Sequence, residues 1–244
     1  MSNSPLVSYT KLSPNHSGQR THAVDRITPH CVVGQCSVET LGNIFAPTSR
    51  QASCQYGIGV DGRVGMYVEE KNRSWCSSSN ANDQRAITIE CASDATHPYA
   101  FNDVVYAKLI ELCADICKRY GKTKLLWLGD KTKTLNYEPA SNEMVLTVHR
   151  WFANKSCPGD WMYARMGDLA SKVTAKLGGS TGGNDKPVDN QVLYRVQTGA
   201  FANKANADAM LQKVKAAGFD TYMVKVDNLY KIPVSYTHLT LPTI

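Results

Sequence analysis

His149-Arg150-Trp151-Phe152-Ala153-Asn154-Lys155-Ser156-Cys157-Pro158-Gly159 gathers an imidazole, an ammonium and a thiol in one short stretch. His149 and Cys157 have the chemistry of half a metal site. The other half is offered far upstream by His30, in the β-branched run Ile27-Thr28-Pro29-His30-Cys31-Val32-Val33. For these residues to share one ion, the fold must bring together two strands that are distant in sequence. Structural zinc is usually enclosed by four protein ligands at short spacings, whereas two imidazoles and one thiolate leave a fourth position open. The set therefore suits catalysis better than scaffolding.

Around this stretch, short apolar strands alternate with amphipathic helices. A buried strand is expected at Ala86-Ile87-Thr88-Ile89-Glu90-Cys91, with the single carboxylate Glu90 near its end, and further strands at residues 125–128 and 144–148, the latter delivering His149. A hairpin is expected over residues 54–68 around Asp61-Gly62, a strong turn signal. Ser37 reads as the N-cap of a short helix through Leu41 and Ile44. Asn102 reads as the cap of a longer one in which Val105, Leu109, Leu112, Cys113 and Ile116 recur at helical spacing before Gly121 stops it. Residues 1–25 and 77–83 read as irregular, and a last helix is expected over residues 163–177. The order predicts an α/β domain with a central mixed sheet flanked by helices.

The 244 residues suffice for one substantial domain and a small one, and 43% hydrophobic content is that of a globular chain. A net charge of +6 is spread without any block of consecutive Lys and Arg, so nucleic acid is not the expected partner; a mildly basic surface favours polyanions such as an anionic cell wall. No apolar run approaches the roughly 20 residues of a membrane span, so membrane insertion is not expected. The first residues, Met1-Ser2-Asn3-Ser4-Pro5-Leu6-Val7-Ser8, show no signal peptide, and synthesis in the cytoplasm is the expectation. The eight cysteines are expected to be mostly reduced, with Cys113 and Cys117 as small core residues.

Gly178-Gly179-Ser180-Thr181-Gly182-Gly183 opens a stretch, residues 178–191, with the composition of a flexible linker. After it, Leu193-Tyr194-Arg195-Val196-Gln197-Thr198-Gly199-Ala200-Phe201 alternates like a strand. Residues 203–217 have helical periodicity with Ala207, Met210, Leu211 and Val214 on one face, and residues 221–226 and 229–232 read as strands.

Residues 1–177 resemble the zinc-dependent N-acetylmuramoyl-L-alanine amidases, the type 2 amidases shared by phage endolysins and peptidoglycan recognition proteins. The resemblance rests on the strand into His30, the strand into Glu90, and the segment carrying His149, Lys155 and Cys157-Pro158-Gly159. It implies that His30, His149 and Cys157 bind Zn²⁺ and that Glu90 and Lys155 are catalytic. The reaction implied is hydrolysis of the amide between N-acetylmuramic acid and L-alanine, by an endolysin that reaches the wall after release. A host autolysin is the alternative setting, and a peptidoglycan-binding protein without catalysis the alternative class; Cys157 argues against the latter.

Trp75 and Tyr56 are the candidate substrate contacts. The chain departs from the family at two places: Cys54 stands where the phage-lysozyme branch has a tyrosine, which leaves Tyr56 displaced by two, and Trp75-Cys76 stands where many relatives have Trp-His. Residues 192–233 resemble the first half of a SPOR domain, a module that binds glycan strands, so the implied partner is bacterial peptidoglycan through both stem peptide and glycan. The closing residues 234–244 resemble translated sequencing-adapter read-through and are expected to be non-native.

Overall fold

A computed structural model describes residues 3–178, 197–217, 221, 223–226 and 228–233. The chain divides into two compact units, Met1–Gly183 and Asn184–Ile244. The expected linker beyond Gly178, the start of the expected strand at residues 193–196 and the 234–244 tail lie outside the described residues.

The first unit is built on a seven-stranded mixed sheet in the order β1-β5-β4-β7-β3-β9-β8. In sequence these strands are β1 (Val7–Thr10), β3 (Arg26–Cys31), β4 (Tyr56–Ile58), β5 (Val64–Met66), β7 (Ala86–Cys91), β8 (Lys124–Leu126) and β9 (Glu143–Leu146). Strands β4, β7, β3, β9 and β8 run parallel, while β5 is antiparallel to β4 and closes the hairpin foreseen around Gly62, whose φ of +80° suits glycine. Two further short strands, β2 (His16–Gln19) and β6 (Asn72–Ser74), form a separate ribbon.

β3, β7 and the chain from Leu146 to His149 share one alternation. Ile27, Ile87, Ile89, Leu146 and Val148 join one apolar core with Leu109, Leu112 and Ile116 of α3 (Asp103–Arg119) and Leu169 and Val173 of α6 (Met166–Lys176). The residues between them, Thr28, His30, Thr88, Glu90, Thr147 and His149, fall on the other face. Helix α3 begins at the expected Asn102 cap, which accepts from Val105 N at 2.8 Å, and ends where Gly121 turns left-handed and Lys122 N reaches back to Cys117 O at 2.8 Å. Helix α1 (Val38–Phe45) starts at Ser37 as expected and packs Leu41 and Phe45 on Cys54 and Tyr67 in a smaller cluster.

Four expectations need correction. Residues 1–25 contain β1, an edge strand parallel to β5, and β2, whose Gly18 at φ +70° and register shift hide its alternation. The stretch expected as loop at 77–83 carries α2 (Asn80–Arg85), which has no apolar stripe and starts on the Ser79 cap. Helix α4 (Lys131–Leu135), capped by Asp130, was not expected for the same reason. The last helix is two, α5 (Asp160–Tyr163) and α6. The break falls at Arg165, whose side chain returns to Trp161, with the guanidinium 4.0 Å from the ring centroid and Nη1 on Trp161 O at 3.0 Å.

In the second unit, β10 (Gln197–Phe201), β12 (Leu229–Pro233) and β11 (Val224–Val226) make an antiparallel sheet in that order. Helix α7 (Lys204–Ala216), capped by Asn203, buries Ala207 and Val214; Met210 and Leu211 are half-buried.

All eight cysteines are free, with Cys113 and Cys117 fully buried on α3. Among the described residues no helix is long and apolar enough to cross a membrane.

Glu70 is a buried charge, 1% exposed, held by an ion pair. Arg119 donates to it through Nη1 at 2.8 Å and Nη2 at 2.6 Å, and the Tyr56 hydroxyl donates at 2.6 Å. Removing the cation would leave that carboxylate buried without its ion pair. Arg119→Met should therefore cost about 3–5 kcal/mol and lower the melting temperature by about 6–15 °C. A thermal unfolding shift below about 2 °C would contradict this account.

Candidate metal centre

The pairing of three strands assembles the site. His30 is in register with Glu90 across β3 and β7, and Glu90 with Gly57 across β7 and β4. On the other side of β3, Arg26 pairs with Val145 and Ile27 with Leu146. Thr28 Oγ1 lies 2.7 Å from Thr147 Oγ1, so one further pleat brings His30 and His149 together, their ring centroids 5.1 Å apart. Because these strands are parallel, the three side chains gather at their carboxyl ends, the usual ligand edge of such sheets.

Cys157 comes from the loop after a 3₁₀ turn (His149–Trp151). Arg150 N donates to Cys157 O at 3.1 Å, and Gly159 turns the chain at φ +84°, where a Cβ would stand 2.8 Å from Pro98 O. The Cys157 thiol thereby reaches His30, with Sγ 3.2 Å from Nδ1. Donor atoms of His30, His149 and Cys157 all lie within 4.8 Å of one another. A tetrahedral zinc with bonds of about 2.0–2.3 Å keeps its ligands about 3.5 Å apart, so the donor set and its spacing fit that ion.

His30 is 1% exposed, and burial followed by the His149 ring holds its pKa well below the usual value; the imidazole is neutral, as a ligand must be. Burial, then Lys155, lowers His149 too. Burial, then the neighbouring Cys31, pushes the Cys157 thiol well up, so ionisation to a ligand awaits a cation.

Glu90 stands beside this group, its Oε1 4.0 Å from His30 Nδ1 and 3.9 Å from Cys76 Sγ. Its Oε2 is buried without a hydrogen-bond partner among the described residues. Burial raises its pKa to about 7, opposed by the Arg50 cation. His30, Cys76 and Glu90 form a second donor group sharing His30. Its separations of 3.9 and 4.0 Å are looser than the 3.2 Å of Cys157 to His30, which favours the first group.

Two clefts open on the site. One, of about 410 Å³, is lined by Glu90, His149, Lys155, Cys157, Arg50 and Tyr99 among others. The other, of about 530 Å³, shares Arg50, His149 and Lys155 and adds Trp75, Arg73 and Ser78. Lys155 and Arg50 are exposed, and neither side chain has a hydrogen bond or ion pair among the described residues. Sequence reasoning missed Arg50, Arg73 and Ser78, whose Oγ is 2.9 Å from His149 Nε2, because they lie in a 3₁₀ turn, a three-residue strand and a loop, all too short for a periodic signal. It also missed Asn82, which bonds both Thr28 and Thr147 below the histidines, at 3.0 Å each.

Tyr56 lies elsewhere and is a correction. It is in register with Ile89, one pleat from Glu90, so it points into the core, fully buried, with its hydroxyl on Glu70. It lines neither cleft. Trp75 does line the second one, its Nε1 donating to Ser17 Oγ at 2.6 Å. Trp127 and Trp151 stack on each other, and Trp161 packs on Phe101 and Tyr106.

Residues 19–160 match the family profile described as N-acetylmuramoyl-L-alanine amidase. The chain belongs to that family. It is, in coarse terms, a peptidoglycan amidase, and its residues 190–235 match the SPOR domain profile. No curated protein matches this amidase. Solved structures similar to it include PlyL (14% identity, TM-score 0.49, covering 68% of this chain and 95% of that one). An AmpD derivative has 18% identity and a TM-score of 0.45, covering 66% of this chain and 93% of its own. The Staphylococcus aureus hydrolase AmiA in complex with its ligand has 15% identity and a TM-score of 0.47, covering 71% and 86%.

Because the Tyr56 hydroxyl serves the core and not the clefts, donating to the Glu70 carboxylate and accepting from Ser4 N, Tyr56→Phe should destabilise the amidase by about 1.5–3 kcal/mol while wall-lytic activity stays within about twofold. Melting curves and turbidity loss check this. A tenfold fall in activity at unchanged stability would return Tyr56 to the substrate.

Proposed function

We propose that this chain is a zinc-dependent amidase that cuts between N-acetylmuramic acid and L-alanine, with His30, His149 and Cys157 as the zinc ligands. The observation that carries this reading is the convergence of three donor side chains, from two strand ends and a loop, beside a carboxylate with an unpartnered buried oxygen. Bound there, zinc would polarise the scissile carbonyl and make a water molecule acidic enough to attack near neutrality.

The chain's own groups do the rest. Glu90, facing the same space as His30 and Cys157, takes the proton of the attacking water and hands one to the departing alanine nitrogen. Lys155, a cation at the cleft wall whose side chain has no hydrogen bond or ion pair among the described residues, stabilises the negative charge that grows on the carbonyl oxygen, a contribution of roughly 3 kcal/mol in comparable sites. Trp75 is a platform at the mouth of the second cleft. Residues 192–233 are read as a module that holds the enzyme on glycan strands after a linker at 178–191. The setting that accompanies this reading is lysis, with the enzyme reaching the wall after release; it rests on the sequence resemblance to endolysins.

Metal analysis beside digestion of purified walls tests the assignment. Glu90→Ala should keep about one zinc per chain and lose at least about a hundredfold in rate, Cys157→Ser should lose both zinc and activity, and Cys76→Ser should keep its zinc. Walls cleared equally well by zinc-stripped protein would refute the metal mechanism. Walls that never clear but still sediment the protein would make it a binding protein.

A further inference from the structure

Beyond the two clefts at the metal centre lies a third cavity, of about 500 Å³, that shares Ser78 and Ser79 with the second cleft and continues to Arg26, Arg85 and Lys131 past Trp151. Arg26 begins β3 and sits on the same face as Thr28 and His30, two pleats away. Only 5% of it is exposed. Its one side-chain hydrogen bond among the described residues, from Nη1 to Asn82 Oδ1, is long at 3.4 Å, and that oxygen already accepts from Thr147 Oγ1 at 3.0 Å.

Nearby carboxylates do not neutralise this guanidinium. Asp25 is engaged by Arg85, whose Nε donates to Oδ1 at 2.9 Å and to Oδ2 at 3.1 Å. Asp25 and Glu138 favour the charge on Arg26, while burial first and Arg85 second oppose it. Buried charges are normally paired, so a nearly enclosed guanidinium with a single long side-chain bond among the described residues, lining a cavity with the Asp25-paired Arg85 and with Lys131, which has no ion pair among those residues, is short of an anion.

We propose that Arg26, with Arg85 and Lys131, forms a subsite for the C-terminal carboxylate of the stem peptide; this rests on the amidase reading above. The distance supplies the length. Four strand residues separate Arg26 from His30, about 13 Å at roughly 3.3 Å per residue, and an extended peptide leaving the metal centre covers that distance in about four residues. Its final carboxylate then meets the planar fork of Arg26, which matches two carboxylate oxygens. Trp151, Leu135 and Phe152 along the same wall suit a peptide better than a free ion. The enzyme should accordingly favour a four-residue stem with a free terminal acid.

The test uses two synthetic muramyl tetrapeptides, identical except that one ends in a carboxylate and the other in a carboxamide. With zinc-loaded full-length protein the acid should be cut about 10- to 100-fold faster in kcat/KM, the range of a charge-assisted hydrogen bond, and Arg26→Gln should bring the ratio close to one. Equal rates on the two substrates in the wild type, or a ratio that survives Arg26→Gln, would overturn the subsite. Should Arg26→Gln fail to fold, Lys131→Gln on the exposed helix α4 decides: the ratio must fall at least about threefold, and an unchanged ratio overturns the proposal. Binding of both peptides to the Glu90→Gln protein separates this from the amidase reading. A tenfold preference for the acid in binding, with neither peptide cut by the wild type, keeps the subsite and defeats the amidase; both peptides cut at equal rates does the reverse.

Discussion

The pairing of β3 between β7 and β9 is the constraint on which the rest of the molecule depends. Strands β3 and β7 alternate between the core face and the site face, as does the chain from Leu146 to His149, and the ladder aligns them so that Ile27 stands beside Ile87 and Leu146, while His30 stands beside Glu90. Burial of the isoleucines and leucines against α3 and α6 fixes the register, because a slip of one residue would turn the apolar set out to the cleft and the polar set into the core. The hydrophobic effect that stabilises the sheet therefore also sets the positions of the histidines and the carboxylate, and no separate device is needed to gather them.

A buried polar layer lies between that core and the site. Thr28, Thr147 and Asn82 bond to one another beneath the two histidines, and Thr88 joins Gln55 and Ser74 beneath Glu90. Each of these groups is fully buried and satisfied, so the layer holds the strand ends rigidly without introducing unpaired charge. The site itself departs from that pattern: His30 Nε2 and Glu90 Oε2 are buried and lack partners among the described residues. At the ends of β3 and β7 these unpaired buried atoms mark where the molecule gives up stability for chemistry. The loop bearing Cys157 closes the arrangement, and Gly159 lets it pass close to Pro98 where a side chain would not fit.

How much of this was legible in the sequence follows the range of the forces involved. The Ser37 and Asn102 caps, the Asp61-Gly62 hairpin and the strands into His30 and Glu90 are local signals, and they read correctly. The mixed sheet followed from their order. Helix α2 did not, because five polar residues and one alanine carry no period and their conformation is set by Ser79 and by packing on β6 and β7. Tyr56 was misplaced by a question of parity: its position in β4 is adjacent to the one opposite Glu90, and only the ladder shows which side it faces. Arg50, Arg73 and Arg26 are ordinary arginines in sequence, and only three-dimensional packing shows that they line two cavities with Ser78 and Ser79 in common.

The central claim is that two imidazoles and one thiolate, joined only by the fold, share a single zinc ion. X-ray absorption at the zinc edge of the zinc-loaded full-length protein tests it most directly. The account predicts one sulfur at about 2.3 Å together with nitrogen or oxygen neighbours at about 2.0–2.1 Å, and loss of the sulfur shell in Cys157→Ser. A first shell of nitrogen and oxygen alone, or a sulfur that persists in Cys157→Ser, would contradict it.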